Sequence, residues 1–123
     1  VNMNNQTVDI FNPKTIRATM GSIFRVPFVY VPDLAPVLEQ MHAKGIHTYA
    51  AHLKGQEYYD SFSFREPTAF LIGNEGNGLS KEISDQAGQY LKIPMEGRVE
   101  SLNASIAAAL LMYEAHRQRS ARL

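Results

Sequence analysis

The chain has 123 residues, 45% of them hydrophobic, enough for one compact domain with a real core. Twelve basic residues balance twelve acidic ones, which excludes a global positive field as the grip on a nucleic acid, so any basic surface must be local. No cysteine is present, which excludes disulfides, thiolate metal sites and cysteine nucleophiles and fits a reducing, cytoplasmic setting. No apolar stretch reaches the roughly 18–20 residues needed to cross a bilayer, and no signal-peptide pattern opens the chain.

In chain order, Val1 to Val8 is polar and without period and reads as a loop. Asn12-Pro13 is an N-cap followed by proline at the first helical position, and Ile16, Met20 and Ile23 recur at helical spacing, predicting a helix over 13–24. "VPFVYV" (26–31) is β-branched and aromatic and predicts a buried strand. Asp33 caps a second helix that closes at Gly45. "IHTYAA" (46–51) is the next strand, "HLKGQEYYDSFSFREP" (52–67) an aromatic-rich connection, and "TAFLIG" (68–73) another strand. Ser80 caps a short helix with Gly88 past its end, "YLKIPM" (90–95) is the last strand, and a helix finishes the chain. From Leu102 to Tyr113 that helix is apolar nearly all round, so it is expected to be buried. Beyond it, His116, Arg117, Arg119 and Arg122 read as a solvated helix end in preference to a binding patch.

Alternating strands and helices predict an α/β domain, a parallel sheet flanked by helices, with ligands beyond the carboxyl ends of the strands. Three such ends converge: the segments after 46–51, after 68–73 and after 90–95. "GNEGNGLS" (73–80) is glycine-rich but spaced as neither a P-loop nor a dinucleotide fingerprint, and its Glu75 would repel phosphate. The turn at 94–103 carries Ser101 and Asn103, one of which caps the final helix while the other is left over. His42, His47 and His52 are five apart, the wrong spacing for shared ligation, so no metal site is expected.

"FLIGNEGNGLS" (70–80) and "IPMEGRVESLNASIAAALLMYE" (93–114) resemble the second and third motifs of the SpoU (TrmH) group of SPOUT-class RNA methyltransferases. "FNPKTIRATMGSIFRVP" (11–27) is similar to the stretch before the second half of that domain. The resemblance implies a C-terminal trefoil knot, a homodimer and S-adenosyl-L-methionine bound at the knot loops. It also implies methyl transfer to a ribose 2′-hydroxyl of RNA, ribosomal in preference to transfer RNA, in the cytoplasm and without a membrane partner. Carried over by position, Gly73, Ile93, Met95 and Leu102, with Ala50 in the 49–51 strand end, are the expected cofactor residues. Asn103 and Ser101 are the expected catalytic residues, with Glu75 shaping the pocket. The family's first motif, an Asn and an Arg, has no counterpart here, so the chain is expected to be one methyltransferase domain without its first-motif segment or a separate RNA-binding domain. The rival expectation is a noncatalytic module that binds cofactor or RNA, or only dimerises.

Overall fold

A computed structural model describes residues 1–5, 7, 9–52, 55–73, 79–94 and 103–120. The chain divides into two compact units, Val1–Pro36 and Val37–Leu123.

In the first unit, β1 (Asn2–Met3) pairs in parallel with β2 (Val29–Tyr30). The Val29 N–H donates to Val1 O at 2.9 Å and the Val31 N–H to Met3 O at 2.7 Å. The opening segment therefore contains a strand where a loop was expected; two residues are too few to show a period of two. The apolar run 26–31 contributes only Val29 and Tyr30 to the pair, and both are exposed. A strand is buried only when another layer covers it, and α1 (Pro13–Ala18), in the same unit, has no buried residue. α1 starts as expected: the Asn12 side chain accepts from the Lys14 N–H at 2.9 Å, with Pro13 at the first position. It stops six residues earlier than expected, because Met20 (φ 51°) and Gly21 (φ 89°) both turn left-handed. The chain resumes as a short 3-10 turn, Ser22–Phe24.

The second unit is built on a three-stranded parallel sheet. β3 (His47–Ala51) lies in the middle, with β4 (Thr68–Leu71) on one side and β5 (Gln89–Leu91) on the other. α2 (Ala35–Ala43) leads into β3. Asp33 Oδ1 accepts from the Ala35 N–H at its start, and Gly45 (φ 77°) closes it: Ile46 N–H reaches Met41 O and Gly45 N–H reaches His42 O. α3 (Lys81–Gln86) is capped by Ser80, whose Oγ accepts from the Ile83 N–H at 3.3 Å.

The core of this unit gathers Tyr49 of β3, Phe64 of the 52–67 connection, Leu91 of β5, and Leu111 and Ala115 of α4 (Ala104–Ser120). Three rings interlock edge to face, Tyr49 with Phe64 at 5.1 Å and Phe64 with Phe70 at 4.9 Å between centroids. Such pairs add about 0.5–1.5 kcal/mol each beyond area burial. The aromatic connection is thus a core element, which its lack of period concealed.

α4 departs from the expectation of full burial. Only Leu111, Glu114 and Ala115 are buried, while Ile106, Leu110, Met112 and Tyr113 are exposed. A helix apolar all round carries more apolar surface than one sheet can cover, so a single stripe docks and the remainder faces outward in this chain. Beyond the stripe, Gln118 Oε1 accepts from the Phe64 N–H at 2.6 Å and its Nε2 donates to Phe62 O at 2.9 Å. Arg119 Nε donates to Phe64 O and its Nη2 to Glu66 O, each at 2.9 Å. The end of α4 is therefore tied to the backbone of residues 62–66.

Candidate functional site

The register of the sheet fixes where a ligand could sit. Ala50 pairs across to Leu71 on one side and Tyr90 on the other, so the three strands end level with one another. Their carboxyl ends deliver residues 51–52, 72–73 and 91–93 to one edge, about 10 Å across the two inter-strand gaps.

The side chains at that edge are small or apolar. Ala50 is fully buried between its neighbours, so it supports the edge and any contact to a ligand would come from the backbone beyond it. Ala51, Ile72 and Ile93 are partly buried and pack against the core cluster. Gly73, also partly buried, follows β4 with no side chain between ligand and backbone. Gly55 packs under the end of β5: a Cβ there would lie 2.8 Å from the Leu91 carbonyl carbon. The 52–57 segment is held there by hydrogen bonds, His52 N–H to Leu91 O at 3.0 Å and Lys92 N–H to Glu57 O at 2.9 Å. His52 stacks on Tyr90 with centroids 5.0 Å apart, and the Tyr90 hydroxyl donates to Asp85 Oδ1 at 2.6 Å. That hydrogen bond, then partial burial and the Asp85 charge, raises the Tyr90 pKa above its ordinary 10.0. No local spacing announced this cluster, because its members come from β5, α3 and the end of β3.

Asn103 sits at the start of α4 and is its cap. Its Oδ1 accepts from the Ser105 N–H at 2.9 Å, the Ser105 hydroxyl at 2.5 Å and the Ile106 N–H at 3.4 Å. The oxygen is committed to the helix, and the side-chain amide, at an exposed position, has no partner among the described residues. Glu75, Met95, Ser101 and Leu102 lie outside the described residues, as do 74–78 and 95–102, on which the expected knot would depend.

The other singled-out groups go to separate places. His42 Nε2 pairs with Thr48 Oγ1 at 2.8 Å, and that oxygen also accepts from the Gly88 N–H at 2.8 Å. His47 pairs with Glu66 at 2.7 Å, and His52 with Tyr90 as above. In the C-terminal basic cluster, Arg117 Nε donates to the buried Glu114 at 2.7 Å, which raises the arginine pKa further, and Arg119 holds backbone carbonyls. Arg119 thereby ties α4 to residues 64–66, while the Arg117–Glu114 pair lies within the helix. No helix among the described residues is long and apolar enough to cross a membrane.

A parallel sheet whose level strand ends are lined by alanine, isoleucine and glycine defines a class: an α/β domain whose candidate ligand edge lies beyond the carboxyl ends of its strands. Comparison with known proteins gives the family. Residues 1–113 match the model of the SpoU rRNA methylase family, and the chain belongs to it. It is 38% identical over 104 residues to YacO of Bacillus subtilis (strain 168), named for the TrmH family of tRNA/rRNA methyltransferases, matching 85% of this chain and 42% of that one. The chain therefore spans less than half the length of this curated relative. The SpoU methyltransferase AviRb of Streptomyces viridochromogenes, solved in complex with the cofactor AdoMet, superposes with a TM-score of 0.87 at 35% identity, covering 96% of this chain and 49% of that one. A solved structure described as an RNA 2′-O ribose methyltransferase superposes with a TM-score of 0.80 at 33% identity over 92% of this chain and 43% of that one.

Proposed function

We propose that this chain carries the cofactor-binding part of an S-adenosylmethionine-dependent methyltransferase acting on the 2′-hydroxyl of a ribose in RNA, ribosomal RNA in preference to transfer RNA. The observation that carries the reading is the level edge of three parallel strands with Gly73, Ile93 and the 51–52 backbone along it. The residues suit the cofactor: small and apolar side chains leave room for an adenine, and the glycine leaves the backbone open to hydrogen-bond its edge. The solved complex of AviRb with AdoMet and the description of the ribose methyltransferase relative support the same reading.

When bound, S-adenosylmethionine supplies a methyl group on a sulfonium, a good leaving group, so the protein's work is alignment and management of one proton. The chain's own groups would hold the ribose 2′-hydroxyl in line with that methyl group and let its proton pass to a base or water. Asn103, fixed at the head of α4, holds its amide where it can donate to the substrate oxygen, and Ser101 is the second polar group assigned to that turn. Glu75 and the pair Met95 and Leu102 complete the pocket by position.

The knot and the homodimer belong to this proposal. The outward apolar face of α4 with Ile106, Leu110 and Tyr113 suits a second copy, because an isolated exposed apolar stripe favours association.

Titration calorimetry with S-adenosylmethionine, followed by radiolabelled methyl transfer to ribosomal RNA, tests the reading. Binding with label recovered as a 2′-O-methylnucleoside is expected. Label on a base, or a folded chain that binds no cofactor, overturns it. Gly73→Val should abolish cofactor binding without unfolding the chain; undiminished affinity would move the pocket elsewhere.

A further inference from the structure

Between Phe11 and Phe28 the chain makes a closed excursion. The two rings meet edge to face with centroids 6.4 Å apart, and α1, the left-handed turn and the 3-10 turn lie between them. The stretch contains Lys14, Arg17 and Arg25 and no acidic residue. All three are exposed, and none forms an ion pair among the described residues. Lys14 and Arg17 stand one turn apart on α1 and so share a face. Arg117 and Arg119 differ in kind, since both are spent on the chain's own groups.

The same excursion holds out apolar side chains. Met20 is 89% exposed and Phe24 84% exposed. Met20 adopts a left-handed backbone, a strained conformation for a non-glycine residue, and its side chain gains no burial in return. An apolar protein partner would satisfy Phe24 but strip water from three unpaired cations. A nucleotide strand satisfies both, because each nucleotide brings a flat base and an anionic phosphate.

We propose that Phe11–Phe28 is a platform for unpaired RNA, with a base stacking on Phe24 beside Met20 and backbone phosphates meeting Lys14, Arg17 and Arg25. This rests on the reading of the chain as an RNA methyltransferase and narrows its substrate to a loop, bulge or single strand. In a continuous A-form duplex the bases are stacked inside and offer no free face to an aromatic ring.

The test is fluorescence anisotropy with a labelled oligouridine and a labelled RNA duplex, with S-adenosylmethionine calorimetry on the same samples. The oligouridine should bind more tightly than the duplex. Phe24→Ala should weaken oligouridine binding about fivefold or more. Lys14→Gln with Arg17→Gln should flatten the dependence of log affinity on log salt by about 0.7 per lost contact. Cofactor affinity should not change in any variant. Circular dichroism checks that each variant folds, and the paired glutamine variant carries the test if Phe24→Ala does not. Unchanged oligouridine affinity in the folded variants, a preference for duplex, or no RNA binding by a chain that binds cofactor overturns the platform and leaves the methyltransferase reading standing. No cofactor binding alongside weakened RNA binding in the variants does the reverse. A drop in solution mass on Phe24→Ala would mean that a second copy covers this face, and the platform falls.

Discussion

Gln118→Ala leaves the Arg119 bond to Phe64 O in place and removes the two hydrogen bonds that Gln118 makes to the 62–64 backbone. Each is worth about 1 kcal/mol net, and the Phe64 N–H, left part-buried without its partner, adds roughly 1–2 kcal/mol of desolvation cost. The expected loss is therefore about 3–4 kcal/mol, a large share of the roughly 5–15 kcal/mol that holds a domain together. Urea unfolding followed by far-ultraviolet circular dichroism measures it, with an unchanged m-value required for the comparison. Gln118→Glu keeps an acceptor for the Phe64 N–H but sets a carboxylate against the Phe62 carbonyl, so it should also destabilise, by less than alanine does. The reasoning fails if alanine costs under about 0.5 kcal/mol, the size of an ordinary surface substitution. In that case Leu111, Ala115 and the Arg119 hydrogen bonds would hold the helix without Gln118.

Three further outcomes follow from the geometry. Asn103→Asp keeps the cap oxygen and removes the amide donor, so stability should hold while methyl transfer falls at least tenfold; unchanged transfer would confine Asn103 to capping. Gly55→Ala places a methyl carbon against the Leu91 backbone and should cost about 1–3 kcal/mol, with weakened cofactor binding because the 52–57 segment must lift from the end of β5; wild-type stability in thermal melts would show that the close approach is not required. Tyr90 should ionise above its ordinary 10.0 in an ultraviolet titration and return toward it in Asp85→Ala. Because the raised group binds its proton more tightly folded than unfolded, its contribution is fully present below pH 10 and is lost as pH rises through the folded value. No change on removing Asp85 would show that the 2.6 Å hydrogen bond does not control the phenol.

The elements marked by local chemistry were legible in the sequence: the Asn12-Pro13 start of α1, the Gly45 close of α2, the Ser80 cap, and the apolar runs of β3 and β4. Each depends on residues within a few positions. What could not be read depends on distant partners. β5 was expected over 90–95 and lies at Gln89–Leu91, since pairing with β3 sets its extent. β1 needs Val29 and Tyr30 to exist at all, Phe64 becomes core through Tyr49, Phe70 and α4, all of them outside its own connection, and the Tyr90 cluster joins three elements. The turn at Met20 was hidden because methionine carries no warning of a left-handed backbone, although Gly21 beside it was such a signal. For the site, the motif wording located Gly73, Ile93 and Asn103 at strand and helix ends, and the structure added that the Asn103 oxygen is already engaged. The apolar face of α4 was legible as a demand for burial, but not as one that a single chain leaves unmet.

The tie between Gln118 and the 62–64 backbone joins residues 54 and 56 positions apart. Such closures are entropically slow and come late in folding. During synthesis, Tyr49, Phe64 and Leu91 all emerge before Leu111, so the growing chain holds an uncovered apolar cluster until α4 has been made, and that interval exposes it to aggregation and degradation.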